Sequence, residues 1–294
     1  MSAHLCGRSP KTPAIGVALN GLSYLAAALT LLLASDALAV ELIAHRGYTC
    51  RSVENTVGAV TDAWLLRADG VELDLNVASD GVVVVFHDDN VGRRRIADMT
   101  FAEIQAATYQ TVPTLASVLA LGRPRGYYVL DLKAAAPGSY SGLSELLAAA
   151  KLNPAMVVIQ SEYLAVLAEV RAAFPGARYH YVARLKRRLL TLGTPDADSL
   201  LASIAGHGLD GVSLKGRKAI DVDYIQRLHR ADLRVFVWTI NEPKRALHYQ
   251  RLGVDGIITD ALDELHVAIT GTGAARSPCS DHEGFVKPSD SAQQ

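Results

Sequence analysis

The sequence predicts a (β/α)8 barrel, and three observations carry that expectation. From residue 41 onward, short β-branched runs alternate with stretches that place apolar residues at i, i+3 and i+4. Most of the runs are nearly continuous apolar segments, suited to strands buried on both faces. No long linker divides them, so one domain over residues 40–270 is the economical reading, and eight β/α units favour a closed barrel over an open doubly wound sheet.

The elements follow in order. Residues 42–45 open the series and residues 71–77 give the second strand. Ser79-Asp80-Gly81 is a tight-turn signal, so the apolar run 82–86 is expected to return as an extra hairpin strand. Strands are expected at 127–133, 155–160, 177–182, 211–214, 235–240 and 256–259. Between them, residues 143–152, 163–174, 224–229 and 246–252 carry helical periodicity.

Composition removes several function classes. The 29 basic and 30 acidic side chains give a formal charge of −1, so no global positive field collects nucleic acid or anionic lipid. The three cysteines, Cys6, Cys50 and Cys279, lack the paired spacings of a zinc site and are too few for a disulfide-dense scaffold.

Arg8 and Lys11 precede an uncharged stretch, residues 12–35, and Ala37-Leu38-Ala39 places small residues two apart. Residues 1–39 therefore read as a secretory signal, which predicts an exported, periplasmic or secreted chain that meets a membrane only through this segment if it stays uncleaved. Cleavage after Ala39 would leave Cys50 and Cys279 as the two remaining thiols. Cys279 lies in residues 271–294, a Gly/Ser/Ala/Pro/Asp-rich stretch read as a flexible tail, which argues against a bridge.

In an α/β barrel, chemistry collects at the C-terminal ends of the strands. That rule selects His45, Glu72, Asp74, His87, Asp131 and Lys133. Side chains two apart on a strand share a face, so Glu72 and Asp74 point one way, as do Asp131 and Lys133. Three carboxylates crowded in a low-dielectric mouth need a compensating cation, and an all-oxygen set suits Mg2+ or Ca2+ rather than zinc. Ordinary ion pairs with Lys133 and Arg46 are the structural alternative.

The ordered series of motifs is more specific. His45-Arg46-Gly47, Glu54-Asn55-Thr56, the run from Ala68 to Asp74, Ser79-Asp80-Gly81 and the run from Val84 to Asp88 together resemble the glycerophosphodiester phosphodiesterase family. The likeness continues in Val112-Pro113-Thr114-Leu115, Leu130-Asp131-Leu132-Lys133, the run from Val237 to Asn241 and the run from Gly253 to Asp260. It implies a barrel phosphodiesterase with one divalent cation that hydrolyses glycerophosphodiesters to sn-glycerol 3-phosphate and an alcohol. It also implies metal ligands Glu72, Asp74 and Asp131, and an acid/base pair His45 and His87, whose imidazoles titrate near neutrality. Arg46 and Lys133 match phosphate charge, Arg46 with two donors at once.

Glu54 would reach the metal shell or the substrate glycerol, and Asn55 would either contact substrate or cap the following helix. Trp238 would line the substrate wall or sit in the core. Asn241 reads as a cap for the helix opening at Glu242-Pro243. Arg93-Arg94-Arg95 and Lys186-Arg187-Arg188 read as solvated faces able to steer an anion.

Three departures from the family pattern stand out. The third carboxylate is Asp131 where the family usually has Glu, as in related sphingomyelinase-D-like phosphodiesterases, which raises a lysolipid or choline-headgroup substrate as the alternative. The segment between His87 and Val112 is short, which predicts a trimmed insertion after the second barrel strand and a more open pocket. Ala261 and Leu262 follow Asp260 where the family often has a Pro shortly after. A glycoside hydrolase leaves His45, Arg46 and His87 without a task, and two Trp and five Phe give little for a sugar to stack on. A catalytically silent phosphodiester-binding module is the remaining alternative.

Overall fold

The computed structural model describes residues 40–122, 126–134, 136–183 and 196–271. The signal expected at 1–39, nearly all of the tail expected at 271–294 and the basic run at 186–188 lie outside the described residues. Among the described residues, no helix is long and apolar enough to cross a membrane.

The barrel strands are β1 (Glu41–Ala44), β2 (Gly70–Val77), β6 (Tyr127–Leu132), β7 (Val157–Ser161), β8 (Arg178–Ala183), β9 (Gly211–Lys215), β10 (Arg234–Trp238) and β11 (Gly256–Thr259). They pair in parallel in that order, and β11 returns to β1, with Ala44 opposite Thr259, while β1 also pairs with β2. The eight strands thus close into the (β/α)8, or TIM, barrel that the alternating pattern predicts.

The extra strand is β3 (Val83–Val85), antiparallel to the end of β2. Its turn works as the sequence suggests: Gly81 takes φ +83, and its N–H donates to the Ala78 carbonyl at 2.9 Å. Beyond it, β4 (Asn90–Val91) and β5 (Arg94–Arg95) form a two-stranded ribbon. This segment packs a small core of its own, Ala78, Val84, Ile96, Met99, Ile104 and Val112. Arg94 and Arg95 are exposed and ion-paired with Glu103 and Asp98, at 3.0 and 2.9 Å.

Helices α1 (Val57–Leu65), α2 (Phe101–Ala107), α3 (Leu115–Leu119), α4 (Leu143–Ala149), α5 (Leu164–Ala173), α6 (Ala197–Ile204), α7 (Val222–Arg230), α8 (Pro243–Leu252) and α9 (Leu262–Thr270) are the α-helices among the described residues. The largest apolar cluster lies between strands and helices, joining Leu73, Leu130, Ile159, Val235 and Ile257 to Val60, Leu167, Ile225 and Leu265. A second cluster, Ile43, Tyr127, Val129, Val158, Phe236 and Ile258, holds the alternate residues of the same strands. His180 is fully buried 4.5 Å from Phe236, and burial, with Arg178 and Arg234 adding to it, pushes its pKa down to about 3. At the strand starts, Glu41 accepts from the Tyr127 hydroxyl at 2.6 Å and pairs with Arg234 at 2.9 Å.

Cys50 is disulfide-bonded, and its partner lies outside the described residues.

Candidate active site

The parallel register sets the height of each polar side chain. Asp74 stands opposite Asp131, and Asp131 opposite Gln160, so three neighbouring strands present polar groups at one level. Around the opening above them stand His45, Arg46, Glu72, Asp74, His87, Asp131, Lys133 and Trp238, with Gln160, Val182 and Ile258 completing the wall. Eight of the ten residues picked out from the sequence therefore meet in one pocket.

Glu72, Asp74 and Asp131 each offer an oxygen within 4.8 Å of the others. Glu72 is buried and accepts from the Arg46 backbone N–H at 3.0 Å. Burial, reinforced by the Asp74 charge, pushes its carboxyl up to about 8. Asp74 goes the other way: burial opposes its ionisation, but Lys133 at 2.8 Å and Arg46 at 3.1 Å hold it well below the usual carboxylate range. Asp131 is raised by burial even though it bonds Lys133. Lys133 is correspondingly raised, because Asp74 and Asp131 outweigh the cost of burying the ammonium.

This set passes the chemical test for a hard divalent cation: the donors are all carboxylate oxygens, buried, converging, and only partly neutralised by one lysine and one arginine. The ion pairs with Lys133 and Arg46 that form the structural alternative are present as well, so the two readings describe one cluster.

His45 leaves β1 with Nδ1 2.7 Å from Asp260 Oδ1 and Nε2 3.9 Å from Glu72 Oε2. Burial opposes protonation, but the bond to Asp260 and the Glu72 charge prevail and raise its pKa. His87 follows β3 and is more open, with Nδ1 2.8 Å from Asp88 Oδ1. Trp238, at the end of β10, lines the opening, donates Nε1–H to the Ser213 carbonyl at 3.3 Å, and has the Lys215 ammonium 5.7 Å from its ring.

Glu54 and Asn55 stand behind the wall. Glu54 accepts from Arg46 Nη1 at 2.7 Å. Asn55 is buried at φ +57, donates Nδ2–H to Asp74 Oδ2 at 2.8 Å, and accepts from the Asp74 backbone N–H at 3.2 Å. The capping role considered for Asn55 belongs instead to Thr56, whose side chain accepts from the Ala59 N–H at the start of α1. Likewise Asn241 is no cap for α8: Glu242 occupies that position, and the Asn241 amide bonds Asp260.

The sequence reading singled out neither Asp260 nor Gln160. Asp260 closes the run from Gly253, directly after a barrel strand, which was the available signal. Gln160 ends an apolar run as its one polar residue and accepts from the Ser213 hydroxyl at 2.7 Å.

The profile of the glycerophosphoryl diester phosphodiesterase family matches residues 45–264. Among named relatives, the glycerophosphodiester phosphodiesterase of Caldanaerobacter subterraneus is 28% identical over 239 residues, covering 74% of this chain and 93% of its own. That of Bacillus altitudinis is 25% identical over 240 residues, covering 76% and 95%. A phosphodiesterase of Oleispira antarctica, solved with the product sn-glycerol 3-phosphate, shares the fold with a TM-score of 0.60 at 22% identity, covering 78% of this chain and 96% of its own. With a barrel of the same kind and a profile match that runs from the first site histidine into the last helix, the chain belongs to the glycerophosphoryl diester phosphodiesterase family of phosphoric diester hydrolases.

Proposed function

We propose that the chain hydrolyses glycerophosphodiesters to sn-glycerol 3-phosphate and an alcohol with the help of one divalent cation, Mg2+ or Ca2+. One observation carries the reading: two histidines, three buried carboxylates and two cationic side chains line a single opening at the C-terminal end of the barrel. The product found with the Oleispira antarctica phosphodiesterase agrees with it.

Glu72, Asp74 and Asp131 would hold the cation. When bound, it neutralises charge on a non-bridging phosphate oxygen and fixes the orientation of the diester. The remaining work falls to the chain's own side chains. His45 and His87 border the opening, and one removes a proton from the attacking hydroxyl or water while the other returns a proton to the leaving alkoxide. Lys133 and Arg46 place positive charge beside the same opening, where a phosphate can share it with Asp74. Glu54 and Asn55 act from behind, holding Arg46 and Asp74 toward the substrate.

We also place this activity outside the cytoplasm, with residues 1–39 as the export signal; the disulfide at Cys50 suits an oxidising compartment. Mass spectrometry of the exported chain should find an N-terminus at Val40. A full-length chain confined to the cytoplasm would contradict that.

The test of function is product identity. Purified protein is offered glycerophosphocholine, lysophosphatidylcholine and sphingomyelin, and glycerol 3-phosphate, choline and lipid products are separated. Glycerol 3-phosphate and choline from glycerophosphocholine are expected. Product from the lipids alone would point to the reading suggested by Asp131, and saturable binding without product would make this a binding module. His45→Ala and His87→Ala are each expected to lose about 10²- to 10⁴-fold in kcat. Wild-type turnover in both folded variants would remove the acid/base assignment.

A further inference from the structure

We propose that Asp260 and Asn241 are positioning residues that set the tautomer and orientation of His45, an inference that rests on the phosphodiesterase reading above. His45 and Asp260 are 215 residues apart, yet each directly follows one of the paired strands β1 and β11. The His45 N–H donates to the Thr259 carbonyl at 2.9 Å, which ties the two strand ends together.

The 2.7 Å contact between His45 Nδ1 and Asp260 Oδ1 fixes which ring nitrogen carries hydrogen in the neutral imidazole. An ionised carboxylate only accepts, so Nδ1 is the donor and Nε2 keeps the lone pair. Nε2 is the nitrogen nearer the carboxylate cluster, 3.9 Å from Glu72 Oε2.

Asp260 is itself held. Asn241 Nδ2 donates to Asp260 Oδ2 at 2.9 Å, and Asn241 Oδ1 accepts from the Asp260 backbone N–H at 2.9 Å. The same oxygen accepts from the Thr259 hydroxyl at 3.2 Å. Three strand ends, those of β1, β10 and β11, therefore converge on one imidazole. Asn241 is the residue whose expected capping role the structure does not use, and this is the task it has instead.

His87 has no such frame. Its carboxylate partner, Asp88, is its chain neighbour, and that side chain is 68% exposed. The two histidines border the same opening but differ in how firmly they are held, so loss of the Asp260 bond should fall on His45 alone.

Two measurements on the full chain test this. Nitrogen-15 histidine NMR, which needs neither metal nor substrate, should find neutral His45 protonated on Nδ1, and Asp260→Asn should shift population to the Nε2–H tautomer. With glycerophosphocholine, Asp260→Asn should lower kcat by about 10²-fold with KM within about twofold, and Asn241→Ala should lower kcat less. In a His45→Ala background, Asp260→Asn should cost nothing further, the non-additivity expected of groups that act as a unit.

Full kcat in folded Asp260→Asn, an equal loss with and without His45, or an Nε2–H tautomer in the wild type would each overturn the proposal. If the wild type turned over no phosphodiester, the functional reading would fail, and the NMR result would still decide the tautomer.

Discussion

Asn55 takes a left-handed backbone, φ +57, and uses both ends of its amide on Asp74. Asn55→Ala strands a buried backbone N–H and removes one bond to a buried carboxylate, so a loss of about 2 kcal/mol is expected in urea unfolding, together with reduced turnover. Glu72 gives a pH signature. Its folded value of about 8 stands above the ordinary 4.5, so in metal-free protein its contribution to stability is full below about pH 4.5 and is lost as pH rises through about 8. His45, also raised, adds a loss above its ordinary 6.5, whereas Asp74, lowered, weakens the fold only as pH falls below 3.8. Melting in EDTA from about pH 5 to about pH 9 is therefore expected to show Tm falling, and added Mg2+ or Ca2+, which binds the ionised carboxylates, should offset the fall. A Tm that rises across this window without metal would contradict the buried cluster. The carboxylates and histidines were legible because each is a polar residue in or just after an apolar run that did not need it. The bonds joining Asn55 to Asp74 and Asn241 to Asp260 were not, because Asn serves as readily in caps as in such bonds, and only the closed fold shows which partner is near.

The loop between β1 and α1 carries four of the candidate site residues, His45, Arg46, Glu54 and Asn55. Gly47 sits in it at φ +82, and a Cβ there would lie 2.7 Å from the Ala59 carbonyl carbon and Cβ. Gly47→Ala must push α1 away or distort the loop that carries Arg46 and Asn55, so both stability and activity should drop, the former by about 2 kcal/mol or more in thermal or urea unfolding. Thr56→Ala, which removes only the α1 cap, is expected to cost about 1 kcal/mol and to spare most of the activity. Strands were easier to read than helices for a physical reason. A strand buried on both faces leaves an unbroken apolar run, as in Tyr127–Leu130, whereas α2 and α3 have seven and five residues, too few for a helical period to show. The ribbon β4–β5 was hidden for a similar cause: its strands are two residues each, and the second consists of two of the arginines that read as a solvated face.

Barrel closure makes one site from distant segments. His45 comes from the first strand end, Glu72 and Asp74 from the second, Asp131 and Lys133 from the third barrel strand, and Trp238 from the seventh. The sequence carries the number of β/α units and hence the closed sheet, but the pairing of β11 with β1 that brings Asp260 to His45 follows only once the circle is complete. The small core under β3 and α2 shows the segment between β2 and β6 to be a packed unit, and His87 enters the mouth from its edge. On the proposed function, this mouth performs cation-assisted phosphodiester hydrolysis. The most direct test is glycerol 3-phosphate release from glycerophosphocholine by the purified chain, measured as prepared, after EDTA, and after Mg2+ or Ca2+ is restored. Release that stops with EDTA and returns with the cation is the expected result; undiminished release in EDTA, or no release with either cation, would contradict the account.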